Sequence, residues 1–276
     1  MDWNKSNTIL IVVFLIVNIF LFSFIYFSDS FNLEYDLKEK EEFLQSVKEI
    51  LKQKNITISC EIPSKIHKAP FLEVEYDVIS PNRDLVENFI GKYDGIINEE
   101  ILFYENENES LEIVGMKKTI YEKTGDFNIK NEDSTDDIID EFCKRKNIDI
   151  SGFVKVNEID SKDYKLIKFV EKYKTYNLEN SYANFYLKNG EVFKFEMQKI
   201  VSLSERADIK SISAAEALLR LMTINFADNK EIVDIQICYY TKENEDFENI
   251  NSISVDLVWK VIFSDGTCAY LVGEEY

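Results

Sequence analysis

Hydrophobic and polar positions alternate along this chain in several distinct registers. The first is no alternation at all. "TILIVVFLIVNIFLFSFIYF" (Thr8–Phe27) is twenty residues without a charge and with one amide, Asn18. A helix rises about 1.5 Å per residue, so such a run covers about the 30 Å hydrocarbon core of a bilayer. Helical period follows. "DLKEKEEFLQSVKEILKQK" (Asp36–Lys54) puts Leu37, Leu44, Val47 and Leu51 on one stripe, with Phe43 and Ile50 beside it. In "SPNRDLVENFIGKY", Ser80 is an N-cap and Pro81 the first helical residue; Leu85, Val86, Phe89 and Ile90 share a face, and Gly91 is a stop signal. "STDDIIDEFCKRKN" has Ser134 as cap, acids in its first turn, and the i,i+4 pairs Ile138–Phe142 and Ile139–Cys143. "SISAAEALLRLMTINF" spaces Ser213 and Glu216 as a capping box ahead of an apolar helix.

Between the helices the period drops to two, the signature of strands. "FLEVEYDVI" (Phe71–Ile79) alternates, and "EEILFYENENESLEIVGMKKTIYEK" reads as a hairpin followed by a third strand. "DYKLIKFVEKYKTYNL", "SYANFYLKNGEVFKFEM", "EIVDIQICYY" and "SVDLVWKVIFSDGTCAYLV" are rich in the aromatic and β-branched residues that suit a pleated sheet. Asn189-Gly190 and Asp265-Gly266 are expected as two-residue hairpin turns. The hairpins "ANFYLKNGEVFKFEM" and "WKVIFSDGTCAYLVG" look like one unit used twice. Helices followed by antiparallel strands predict an α+β fold, and the hairpins argue against a doubly wound parallel sheet.

The expected organisation is an N-terminal transmembrane helix followed by two lobes, each of helices packed on curved antiparallel β-sheet. Residues 1–7 form a tail, 8–27 the anchor, 28–124 the first lobe, 125–136 an acidic linker and 137–276 the second lobe. The linker lies within the polar stretch Glu122–Asp137, and the chain's three prolines, Pro63, Pro70 and Pro81, all precede it. Tyr26 and Phe27 stand where a cleaved leader needs small residues, so the span reads as a retained anchor. Lys5 before it, with Asp29, Glu34 and Asp36 after it, places the N-terminus in the cytoplasm and the larger part outside the cell membrane.

Charge narrows the partners. The 276 residues carry a formal net charge of −19, and residues 1–27, with Asp2 and Lys5, contribute none of it. An acidic exterior disfavours nucleic acid, which needs a basic face, and is accounted for by solubility alone. Cys60, Cys143, Cys238 and Cys268 are widely spaced, with no C-x-x-C. Cys238 and Cys268 fall on candidate strands of one sheet, and both a bridge between them and two buried thiols remain open.

Motifs for catalysis are missing. The one histidine, His67, lies between Pro63 and Pro70 and reads as a solvated loop residue; no G-x-S-x-G supports it as part of a nucleophilic pair. One His without a close Cys pair supplies no zinc ligand set, and neither a P-loop nor a dinucleotide fingerprint occurs. With 51 Asp and Glu, carboxylate pairs are unavoidable and indicate no glycosidase by themselves. "DFNIKNEDSTDD" resembles a calcium loop only faintly, since Asn131 stands where glycine is needed and Asp137 where glutamate is. No cofactor, metal or catalytic residue is expected.

The span offers the most specific signal. An amide at mid-bilayer is costly unless it finds a partner, and contacts of this kind between helices are worth about 0.6–2 kcal/mol. Asn18 is therefore a candidate contact, although its apolar and small neighbours can also carry it into the bilayer unaided. The opening "MDWNKSNTILIVVFLIVNIFLFSFI", with Met1-Asp2-Trp3, Lys5, Thr8-Ile9 and Asn18, resembles the YycI family of Gram-positive bacteria. "ISAAEALLRLM" followed by "VDLVWKVIFSDGTCAYL", with Trp259 in a W-x-[IV] strand, is similar to that family's C-terminal unit.

The resemblance implies a PepSY-like α+β second lobe and a non-enzymatic regulator. It would act with a YycH-like partner on the sensor histidine kinase WalK (YycG), which controls cell-wall metabolism. It implies signalling through transmembrane-helix and extracytoplasmic contacts, with Trp3, Lys5, Thr8 and Asn18 as the transferable partner-binding positions. An anchored module binding a small ligand or a wall fragment is the alternative, and a wall hydrolase a weaker one.

Overall fold

The computed structural model describes residues 14, 18, 40–93, 102–125, 134–242 and 250–271. Helix α1 is described over residues 40–52 and strand β1 over Thr57–Ile58. Then come β2 (Lys68–Tyr76), α2 (Arg83–Ile90), β3 (Leu102–Glu105), β4 (Glu109–Val114), β5 (Lys118–Lys123) and α3 (Thr135–Lys146). The rest is β6 (Phe153–Asp160), β7 (Lys165–Tyr173), β8 (Tyr176–Lys188), β9 (Glu191–Gln198), β10 (Ile200–Lys210), α4 (Ala214–Leu218), β11 (Glu231–Tyr240), β12 (Ser252–Phe263) and β13 (Cys268–Leu271). The architecture is α+β. Among the described residues no helix is long and apolar enough to cross a membrane. The expected span lies outside them apart from Phe14 and Asn18, both helical.

The helices form where caps and periodicity place them. In α1, Val47 and Leu51 are buried, Leu44 packs beside them, and Phe43 is exposed. The N-cap of α2 is Asn82, not Ser80: its side chain accepts from the Leu85 amide at 2.8 Å, so the helix starts two residues later than expected. Ser134 caps α3 by accepting from the Asp137 amide, and Asn147 closes it in the left-handed region at φ 56°. The Ser213–Glu216 capping box is present, but α4 tightens at once into 3-10 turns over Leu219–Thr223 and Asn225–Ala227. The β-branched pair Thr223-Ile224 disfavours a continued helix, and Ile224 is extended.

One mixed sheet holds all the described strands, in the order β10-β2-β12-β11-β8-β9-β5-β4-β3. β1 and β13 join at β11 and β12, and β6 pairs with β7, which pairs with β8. Most neighbours are antiparallel; β1–β11 and β8–β11 are parallel. The Asn189-Gly190 turn forms as expected, with φ of 51° and 78°. Asp265-Gly266 does not: the turn spans three residues, with Gly266 N–H donating to the Phe263 carbonyl and Phe263 N–H to that of Thr267. Gly266 takes the left-handed position at φ 80°, a type I turn closed by a bulge.

Two main cores lie on the sheet. β5 pairs with β9 from Lys118↔Gln198 onward, which carries the ladder across the expected linker. One core joins α2 and α3 to β4, β5, β8 and β9, around Phe142, Tyr121, Phe185 and Phe195. The other joins Val47 and Leu51 of α1 to α4, β11, β12 and β13, around Trp259 and Phe263. The chain's early helix thus packs on its last strands. A smaller cluster, with Leu72, Val74 and Tyr239, lies under β2 and β10.

Candidate functional site

Strand β8 is shared by the two halves of the sheet. Leu178 pairs with Tyr239 of β11, whereas Tyr182 to Lys188 pair with β9. Between them the register with β7 slips, and the three residues Glu179, Asn180 and Ser181 are all buried. Buried polar groups need partners, and most of these have them. The Asn180 amide donates to the Thr241 carbonyl at 2.9 Å and accepts from its N–H at 2.8 Å. Ser181 Oγ donates to Glu171 and accepts from the Ile200 amide. Gln198 Nε2 donates to the Asn180 carbonyl at 3.0 Å, while its Oε1 has no hydrogen-bond partner among the described residues.

Glu179 is treated differently. Its Oε2 accepts from Lys260 Nζ and from the Tyr270 hydroxyl, each at 2.7 Å. Lys260 on β12 and Tyr270 on β13 are register partners, so one hairpin supplies both donors. The side chains of Lys260 and Glu179 are 8% and 5% exposed. Tyr240 stacks on Tyr270 with centroids 3.7 Å apart. Burial pulls the Lys260 ammonium down; the charge and hydrogen bond of Glu179 more than offset this, so its pKa lies above the usual lysine value. Burial, then the Glu179 charge, pushes the Tyr270 phenol up. Glu179 Oε1 has no hydrogen-bond partner among the described residues.

A cavity of about 390 Å³ opens here, lined by Glu179, Lys260, Tyr270 and Tyr240 with Asn180, Asn184, Tyr182, Val156, Val170, Lys168 and Lys242. A larger hollow, about 720 Å³, lies beside the end of α2 and the β3–β4 turn. Its charged lining residues, Lys92, Glu105 and Glu107, are exposed, so it presents nothing that water does not already satisfy. The cavity at Glu179 is the candidate site. Among the described residues no three His, Cys, Asp or Glu side chains converge as a metal-binding group.

The expected site residues fall elsewhere. Trp3, Lys5 and Thr8 lie outside the described residues. Asn18 is described: its Nδ2 donates to the Phe14 carbonyl at 2.8 Å, one turn back. That bond satisfies one amide N–H within the helix itself and lowers the cost of placing Asn18 in an apolar medium. His67 is not a solvated loop residue. It is half-buried, edge-on to Tyr176 and Trp259, with Nδ1 3.2 Å from the Tyr176 hydroxyl. Burial, then Lys65, lowers its pKa. All four cysteines are free thiols. Glu179, Lys260 and Tyr270 escaped the sequence reading, although a signal exists: "ENS" interrupts the alternation of β8, and Lys260 is a lone charge inside "LVWKVIF".

A sequence profile of the family described as YycI protein matches residues 36–272. Among solved structures, YycH from Bacillus subtilis aligns with a TM-score of 0.51 and 11% identity, over 76% of this chain and 53% of that one. The chain thus spans about half the length of the YycH structure it matches, and shares its fold over that part. The C-terminal domain of Bacillus megaterium YpeB aligns over 83% of this chain and 97% of that one, with 12% identity and a TM-score of 0.30, a level that does not establish a common fold. No curated protein matches the chain.

Proposed function

Because the chain belongs to the YycI family, we propose that it is a non-enzymatic accessory regulator of a WalK-type sensor histidine kinase, acting together with a YycH-like protein. The family match over residues 36–272 carries this reading. The fold shared with YycH supports it, since two proteins of one architecture can present similar sheet edges and helices to a common partner. In this reading Thr8–Phe27 is a single membrane span, the N-terminus is cytoplasmic and the α+β part, as two lobes, is extracytoplasmic. Trp3, Lys5, Thr8 and Asn18 contact the partner's membrane helices.

A regulator of this kind needs little energy. Packing that differs by about 1.4 kcal/mol between two kinase states changes their ratio tenfold. The experiment exchanges the span for an unrelated apolar helix of equal length in cells. Expression of kinase-controlled wall genes then matches that of the deletion strain. Full regulation by the exchanged protein contradicts the transmembrane part of the reading.

A ligand-binding role is compatible with this one, and the unpaired Glu179 oxygen favours it.

A further inference from the structure

The fold builds one buried arrangement twice. In the first core, Lys146 of α3 pairs with Glu109 at 3.0 Å, the Tyr121 hydroxyl donates to the same carboxylate at 2.6 Å, and the ammonium lies 4.6 Å from the Tyr121 ring centre. Lys146 also donates to the Phe89 carbonyl. At the cavity, Lys260, Glu179 and Tyr270 repeat the plan, with the ammonium 5.6 Å from the Tyr270 ring centre. Among the described residues, only the second leaves a carboxylate oxygen buried without a partner. An orphaned buried acceptor of this kind is costly, the more so when charged, so a group that supplies the missing donor is bound with corresponding gain.

The rest of the cavity states what that group belongs to. Its charged lining is three lysines, Lys168, Lys242 and Lys260, against the single Glu179, in a chain of net charge −19. Lys260 is committed to Glu179, whereas Lys242 is exposed and Lys168 half-buried. Such a lining favours an anion. The ammonium already beside Glu179 disfavours a second cation there, so the donor to Oε1 is neutral. The tyrosine rings offer apolar faces, and about 390 Å³ lies within the range of about 300–1,000 Å³ usual for small-molecule sites.

We propose that this cavity binds a small carboxylic acid that also carries a neutral N–H or O–H donor. The donor bonds Glu179 Oε1, and the carboxylate is held by Lys168 and Lys242. An acylated peptide C-terminus and a sugar acid share this chemistry. The inference does not depend on the kinase role.

Isothermal titration of the full-length protein in lipid nanodiscs tests it, with N-acetyl-alanyl-alanine and glucuronate as probes. Each is compared with a neutral counterpart, the peptide amide and methyl glucoside. One of the acids binds saturably, and its neutral counterpart binds about tenfold more weakly or worse; the acid that binds more tightly identifies the source. Lys242→Ala weakens the acid and leaves the neutral form unchanged, and Glu179→Gln weakens both. Should Glu179→Gln fail to fold, the exposed Lys242→Ala and half-exposed Lys168→Ala decide. The proposal is overturned if neither acid binds, if acid and neutral forms bind equally, or if both lysine variants keep full affinity.

Discussion

Lys260 donates to Glu179 across 2.7 Å, and the two side chains come from strands 81 residues apart in sequence. The bond ties the β12–β13 hairpin to the slipped segment of β8, where the halves of the sheet meet. A buried pair of this kind is weak support for stability as a unit, yet breaking it by removing one partner costs about 3–5 kcal/mol. Lys260→Met is therefore strongly destabilising in urea unfolding. Adding Glu179→Gln removes the stranded charge, and the double variant is more stable than the sum of the singles by about 0.5–3 kcal/mol. Strict additivity contradicts the coupling.

Gly266 sits at φ 80°, and a Cβ built there would lie 2.9 Å from Cγ2 of Ile159 on β6. Left-handed backbone costs a non-glycine residue about 1–2 kcal/mol before any contact is counted. Gly266→Ala lowers the melting temperature by roughly 2–8 °C in calorimetry. Ile159→Ala in the same background recovers none of the backbone cost, which separates strain from crowding.

Glu109 links acid stability to the first core. Burial pushes its carboxyl up, and hydrogen bonds from Tyr121 and Lys146 outweigh this, leaving it below the usual value of 4.5. Lys146 shifts the other way for an ion pair, lowered chiefly by burial despite Glu109. The carboxylate gains from the contact and the ammonium is held at a cost, as expected when one partner is more deeply buried. A carboxyl lowered on folding stabilises above its unfolded pKa, and that contribution disappears as pH falls through the folded value. Wild-type stability therefore declines as pH drops below 4.5. Glu109→Gln flattens that decline in chemical denaturation followed between pH 7 and about pH 3.

Two thiols report on the first core and on the surroundings of Glu179. Cys143 is pushed up to about 12 by burial and by Asp140, and Cys238 is raised well above the usual thiol value by burial and by Glu179. Both stay unreactive toward a disulfide reagent in the native protein at neutral pH. In denaturant without reductant, all four cysteines react. Only two equivalents would mean a bridge.

Local order was legible in the sequence and long-range order was not. Ser134 and the Ser213–Glu216 box act within one turn, so the starts of α3 and α4 can be read directly. β6 and β10 were missed because "FVKVNEID" and "IVSLSERADIK" carry charges on exposed faces, which blur the alternation that pairing enforces. The parallel pairing of β8 with β11, and the packing of α1 on β11–β13, are set by contacts far apart in sequence. The boundary expected at residues 125–136 rests on a shift in composition, which carries no information about the pairing of β5 with β9 on either side of it. The Glu179 site needs three strands to exist, so its residues stood out only as polar interruptions in apolar text.

The regulatory account rests most directly on the kinase itself. A WalK-type kinase reconstituted in liposomes with the YycH-like protein is assayed for autophosphorylation, with and without the full-length chain. The account predicts a changed rate on addition of the chain, a smaller change for Asn18→Leu, and none when the span is replaced. An autophosphorylation rate identical in the presence and absence of the chain contradicts it.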